Sequence, residues 1–195
     1  MDKSAVAKRV MAYLLTLTAL LMAWTVSSAS AAQADEAAAV ADDARYVWYN
    51  KSSSDPRSGK LSYSTGSVIR GTWRAGSGAP TGWRDDCYRN HGWLPNGVYG
   101  TQWRTNYDGS LINGRAIRLS DKVCSRGTVT RTELFIHSEQ TVNNTQGTIE
   151  REQWNGVNDY YSEGCIKMTP GDIAELFLHR AYWGGAQPYL IVAGP

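Results

Sequence analysis

From Arg45 onward the chain alternates short runs of aromatic and β-branched residues with Gly, Asn-Gly and Asp-Gly punctuation. That texture predicts strands joined by tight turns, because branched and aromatic side chains fit a pleated surface and Gly accepts positive φ without steric cost. The runs cover 46–49, 60–64, 67–70, 98–103, 116–119, 128–130 and 133–136. Asn96-Gly97, Asp108-Gly109 and Asn113-Gly114 mark turns between them, several of them hairpins. Trp73, Trp83, Trp93 and Trp103 recur every ten residues. The residues between them share no pattern, so evenly spaced strands and turns account for the period better than a repeat does.

One stretch has helical periodicity. Thr169-Pro170-Gly171-Asp172 combines a capping hydroxyl, Pro at the first helical position and an acid three residues after the cap. Ile173, Leu176, Phe177 and the long stem of Arg180 follow on one face, and Trp183-Gly184-Gly185 ends the run. A last, buried strand is expected over 188–193. Residues 45–195 therefore read as a single, mainly β domain with one or two helices.

The first residues have a different pattern. Lys3, Lys8 and Arg9 precede an apolar run over 10–26, and Ala29-Ser30-Ala31 and Ala32-Gln33-Ala34 both fit a cleavage site. Residues 1–34 are expected to be a secretory signal peptide, removed without leaving a stable membrane insertion; the alternative is an uncut signal anchor, since the 17 apolar residues of 10–26 are near the lower limit for spanning a bilayer. Residues 35–44 are small and acidic and are expected to be a tether. Without the first 34 residues, the 20 basic and 18 acidic residues become 17 of each. A neutral chain with no basic stripe gives no reason to expect a nucleic-acid partner.

Export gives the three cysteines a meaning, since an oxidising compartment pairs thiols and leaves one over. Cys87 and Cys124 lie in polar, turn-rich surroundings suited to a surface staple. Their pairing would contribute about 4 kcal/mol by the chain-entropy estimate. Cys165 would then remain free, although the sequence leaves open a pairing of either partner with Cys165, which would abolish thiol chemistry. Cys165 follows Gly164 and precedes the helix by a few residues, where backbone N–H groups can face an anion. A thiol at its ordinary pKa of about 8.5 is mostly protonated at neutral pH, so a nucleophilic Cys165 needs a base. His137, closing the apolar run Leu134-Phe135-Ile136, is the best supplier. His91 and His179 read as structural or solvent-facing. No cluster has metal-ligand spacing and no phosphate loop appears, so no metal or cofactor is expected.

His137 followed by Ser162-Glu163-Gly164-Cys165-Ile166-Lys167 resembles the His … Ser/Thr-His-Gly-Cys signature of the L,D-transpeptidases. It is most similar to a divergent Ser-x-Gly-Cys-Ile branch that includes L,D-transpeptidase-like effectors. Leu94-Pro95-Asn96-Gly97-Val98-Tyr99 resembles the segment before a core strand of that family, and Arg131 also fits the branch. Glu163 departs from the family's second His, and the 24 residues between His137 and Ser162 exceed its usual gap. The extra length, 141–158, is expected to be a surface loop beside the site, acting as a lid or selecting substrate.

The resemblance implies an L,D-transpeptidase-like β-sandwich or barrel, and an extracytoplasmic, monomeric acyl transferase acting on peptidoglycan stem peptides. Cys165 would be the nucleophile and His137 its base, while the Cys165 N–H with Gly164 would hold the oxyanion. Arg131, Ser162, Glu163 and Lys167 would contact substrate, Arg131 through a carboxylate and Lys167 by favouring thiolate. Transfer to an amine gives a cross-link, and transfer to water an L,D-carboxypeptidase outcome. Two rivals are a non-catalytic cell-wall or glycan-binding module, motivated by eight Trp and eleven Tyr, and a cysteine peptidase of stem peptides.

Overall fold

A computed structural model describes residues 44–185 and 187–195. The expected signal peptide, and the tether apart from Ala44, lie outside the described residues. Along the chain, the strands are β1 (Arg45–Asn50), β2 (Gly59–Thr65), β3 (Val68–Ala75), β4 (Gly97–Tyr99), β5 (Thr101–Asp108) and β6 (Asn113–Leu119). They continue as β7 (Lys122–Val123), β8 (Thr130–Arg131), β9 (Phe135–His137) and β10 (Ile166–Lys167), followed by helix α1 (Pro170–Trp183) and β11 (Tyr189–Ala193). The result is mainly β with one α-helix, as expected, and its sheets are mixed and do not close into a barrel.

The larger sheet runs β3-β2-β1-β11-β4 and the second runs β10-β9-β6-β5, with β7 and β8 forming a separate ribbon. β11 returns beside β1 in parallel, placing Val47 opposite Leu190 and Tyr49 opposite Val192. All four are buried. The strand expected to be buried over 188–193 instead alternates, with Leu190 and Val192 inside and Tyr189 exposed. The single run expected over 98–103 divides at Gly100, so that β4 joins one sheet and β5 the other. Ser120 clamps that crossing, donating its N–H to the Gly100 carbonyl at 3.0 Å and accepting the Gly100 N–H on Oγ at 3.1 Å.

Of the three expected turn dipeptides, Asp108-Gly109 opens the β5–β6 hairpin, where Gly109 N–H reaches the Ile112 carbonyl. Asn113-Gly114 forms the first two residues of β6, paired with Asp108 and Tyr107, and Gly114, at φ 77°, leaves no room for a Cβ beside the Gln140 side chain. The tryptophan period does not mark four strands: Trp73 and Trp103 are in β3 and β5, whereas Trp83 and Trp93 pack edge to face in the connecting segment.

Helix α1 begins where its cap places it, with Thr169 Oγ1 accepting the Asp172 N–H at 3.1 Å. Its Ile173, Leu176 and Phe177 enter one core with Val47, Tyr49 and Leu61 of the larger sheet and Ile117, Ile136 and Ile166 of the smaller. Burying an aliphatic side chain of this size contributes about 1.5–3 kcal/mol, so this shared core is what holds β9 and β10 in place. Among the described residues no helix is long and apolar enough to cross a membrane.

Candidate active site

β9 and β10 are too short to be stable alone, and they are held from both sides. β9 pairs antiparallel with β6, and β10 lies parallel to β9 with Ile166 opposite Ile136 and Lys167 opposite His137. On its other edge β10 meets Gly76, which exchanges two backbone hydrogen bonds of 2.9 Å with Lys167. Side chains alternate across a strand, so Ile136 and Ile166 enter the core together. His137, Lys167 and, one step earlier, Cys165 and Phe135 then fall on the opposite face. That face lines a cavity of about 700 Å³.

Gly164 brings the chain into β10 at φ 118°, a conformation that disfavours any side chain. A Cβ there would also stand 2.0 Å from an Arg131 guanidinium nitrogen. Ser162 organises the same turn: its hydroxyl donates to the Cys165 carbonyl at 2.6 Å and accepts the N–H groups of Gly78 at 3.0 Å and Gly164 at 3.1 Å. The Gly164 N–H is therefore engaged in the loop itself and is not directed at an oxyanion. Ser162 likewise staples the loop with its hydroxyl, while the residue also lines the cavity.

Arg131 is buried, and its guanidinium donates to the backbone carbonyls of Asp86 at 2.7 Å, Gly92 at 3.2 Å and Glu163 at 2.9 Å. The group expected to bind a substrate carboxylate is thus committed to supporting the Cys165 loop from below. Lys167 is also buried and ion-paired with Glu139. Glu163 is exposed and lines the cavity.

Cys165 is the free cysteine, because Cys87 and Cys124 form a disulfide. Asp86, next to that bridge, accepts from the Ser125 N–H at 3.0 Å and hydroxyl at 2.7 Å, tying the segment beneath Arg131 to the far side of the bridge. The Cys165 thiol donates to the Glu133 carbonyl at 3.7 Å. Burial pushes it up to about 11, while the Phe135 N–H, Arg131 and Lys167 pull it down and Glu163 pushes it further up. The residue as a whole remains half-buried, with surface on the cavity. A ligand can therefore reach a thiol that the surrounding protein desolvates.

His137 is buried, and burial, helped by the Lys167 charge, holds its imidazole down at about 3. Its Nδ1 lies 3.1 Å from the Ser138 carbonyl. A carbonyl only accepts, so that contact places the proton on Nδ1 and leaves Nε2 with its lone pair. At neutral pH the pair is thiol and neutral imidazole, and not a preformed ion pair.

The remaining walls were not legible from motif spacing. The β5–β6 hairpin contributes Tyr107 and 109–112, and Ala79, Pro80, Arg89 and Asn90 close another side. The 141–158 segment, expected beside the site as a lid or a selector of substrate, does not line the cavity; Tyr161, Ser162 and Glu163, just beyond it, do. Arg89 is exposed and, unlike Arg131 and Lys167, carries no hydrogen bond or ion pair among the described residues. Gly76-Ser77-Gly78 was also missed. Its small residues let the chain run against the Cys165 loop, where a Cβ on Gly76 would meet the Tyr160 carbonyl oxygen at 2.3 Å. The other histidines are structural: His91 stacks on Tyr88 at 4.2 Å, and His179 packs edge-on to Trp73 at 5.4 Å.

No protein-family model matches the chain, and no curated protein matches it significantly. Among solved structures, Bd1075 of Bdellovibrio bacteriovorus aligns over 78% of this chain and 49% of its own, at 14% identity and a TM-score of 0.46. An L,D-transpeptidase, residues 123–326, from Xylanimonas cellulosilytica aligns over 77% of this chain and 61% of its own, at 14% identity and a TM-score of 0.38. The chain thus spans about half of one and three fifths of the other. Both are similarities at a level that carries no argument about activity.

Proposed function

We propose that the protein is an extracytoplasmic cysteine acyl transferase acting on peptidoglycan stem peptides, with Cys165 as nucleophile and His137 as general base. The observation that carries this reading is the placement of Cys165 and His137 on one face of two adjacent parallel strands, lining one cavity, while the other two cysteines are joined to each other. The sequence resemblance of the His137 and Ser162–Lys167 segments to the L,D-transpeptidases supplies the substrate class.

In the resting site both partners are neutral. Proton transfer from Cys165 Sγ to His137 Nε2 then accompanies attack on the carbonyl between the stem's diamino acid and its terminal D-alanine. The Cys165 backbone N–H faces the developing oxyanion, a donor typically worth about 3 kcal/mol. His137 returns the proton to the departing D-alanine amine, leaving a thioester on Sγ. A second stem's amine resolves it to a cross-link; water resolves it to a shortened stem. Arg89 takes the carboxylate-binding role that Arg131, engaged with three carbonyls, does not fill.

The test is product analysis on defined tetrapeptide stems. Release of D-alanine by the wild type, and its loss in both Cys165→Ala and His137→Ala, is the expected result. Arg89→Ala should raise KM with little change in kcat. Cleavage at any other bond of the stem would replace this reading with that of a peptidase.

A further inference from the structure

The polar segment between the two catalytic strands is absent from the cavity wall, yet it contacts the site by another route. Gln146 donates from Nε2 to the Glu139 carbonyl at 3.1 Å, and its own Oε1 accepts the Trp154 N–H at 2.6 Å. Glu139 is thereby braced two residues beyond His137, and its side chain is buried in an ion pair with Lys167. Lys167 stands directly opposite His137 in the β9–β10 register and shares the cavity face with Cys165. Its charge acts on both reacting groups, disfavouring imidazolium at His137 and favouring thiolate at Cys165.

We propose that Glu139 is a positioning residue of the site: held by the 141–158 segment, its carboxylate fixes the Lys167 ammonium and sets how much of that charge reaches His137 and Cys165. This rests on the reading of Cys165 as nucleophile, and it assigns the long insertion an electrostatic task in place of a lid. The other charges that face these groups are Arg131, positive, and Glu163, negative, at Cys165, with Asp159 and Glu150 acting on Glu139. Of these, Lys167 is the one that reaches both His137 and Cys165. Glu139 Oε2 has no partner among the described residues, so Lys167 is the group that holds this carboxylate in place.

The experiment is the pH dependence of Cys165 alkylation by iodoacetamide, followed by intact mass, in the full secreted chain with its disulfide intact. Alkylation requires no substrate, so its outcome is independent of whether stem peptides are turned over. Glu139→Gln leaves the Lys167 charge uncompensated and lowers the alkylation midpoint by about one pH unit; Lys167→Met raises it by about one unit. Lys167→Arg, which keeps the charge, stays near the wild-type midpoint. Should Glu139→Gln fail to fold, the contrast between Lys167→Arg and the double variant Glu139→Gln/Lys167→Met carries the test. The double variant leaves no unpaired buried charge and should also raise the midpoint. Midpoints that move in the same direction for Glu139→Gln and Lys167→Met, or that stay put in every variant, overturn the proposal, as does Lys167→Arg shifting as far as Lys167→Met.

Discussion

The two faces of the β9–β10 pair follow opposite rules. On the inner face Ile136 and Ile166 are fully buried among Ile117, Leu134 and Met168 and have no polar atom to satisfy. On the outer face, one residue away in each strand, Cys165, His137 and Lys167 carry titratable groups against a cavity. The same two hydrogen-bonded strands serve both, because a period of two gives each face its own composition. The inner face fixes where the outer one points. Reactivity on the outer face is accordingly a matter of burial and neighbouring charge, and stability resides mainly on the inner one.

Substitutions that affect only one face break this comparison most sharply. Cys165→Ala should lower acyl-transfer turnover on the order of 10⁶-fold while leaving thermal unfolding nearly unchanged, as read by D-alanine release and calorimetry. Acid should do the reverse through His137. Its imidazole is held near 3 in the fold and near its ordinary value when unfolded, so below about 6.5 the unfolded chain binds a proton that the folded one refuses. The stability it contributes is complete above that pH and is lost as pH falls towards 3, by roughly 5 kcal/mol at most. Urea titrations across that window should show the decline, and His137→Gln should flatten it.

On the inner face Ile166→Ala should cost about 2–5 kcal/mol in urea unfolding, with catalysis lost only as the strand loosens. Gly164→Ala sits between the faces. Its positive φ and the nearness of Arg131 should cost about 2 kcal/mol and displace Cys165, lowering kcat more than stability alone explains. Thr169→Ala removes the cap of α1, just past the end of β10, and should cost about 1 kcal/mol with a smaller effect on kcat than Gly164→Ala.

What the sequence revealed follows the same division. β1 and β2 are six and seven residues long and α1 has a cap, a proline and a spaced apolar face, so local pattern locates them. β7 and β10 have two residues each, too few for any period, and exist because Arg131 and Ile136 pair with them across the chain. The odd cysteine count made one spare thiol legible but left its identity open between pairings, and the fold settles it by joining Cys87 to Cys124 and leaving Cys165 free beside a cavity that His137 also lines. The roles of the surrounding polar residues were not legible. Arg131, Ser162 and Lys167 look like substrate contacts in a motif, and only the fold shows their hydrogen bonds turned towards backbone carbonyls and Glu139. Arg89 and the Gly76-Ser77-Gly78 cradle reach the site from segments distant in sequence, and no spacing rule connects them to Cys165.

Intact-protein mass after brief incubation with a purified tetrapeptide stem tests the central claim most directly. The account predicts a covalent adduct equal to the stem acyl group after loss of D-alanine, present in the wild type, absent in Cys165→Ala and removed by added amine or by water over time. A wild-type protein that shows neither adduct nor product across stems of different diamino acids, or an adduct that persists in Cys165→Ala, would contradict it.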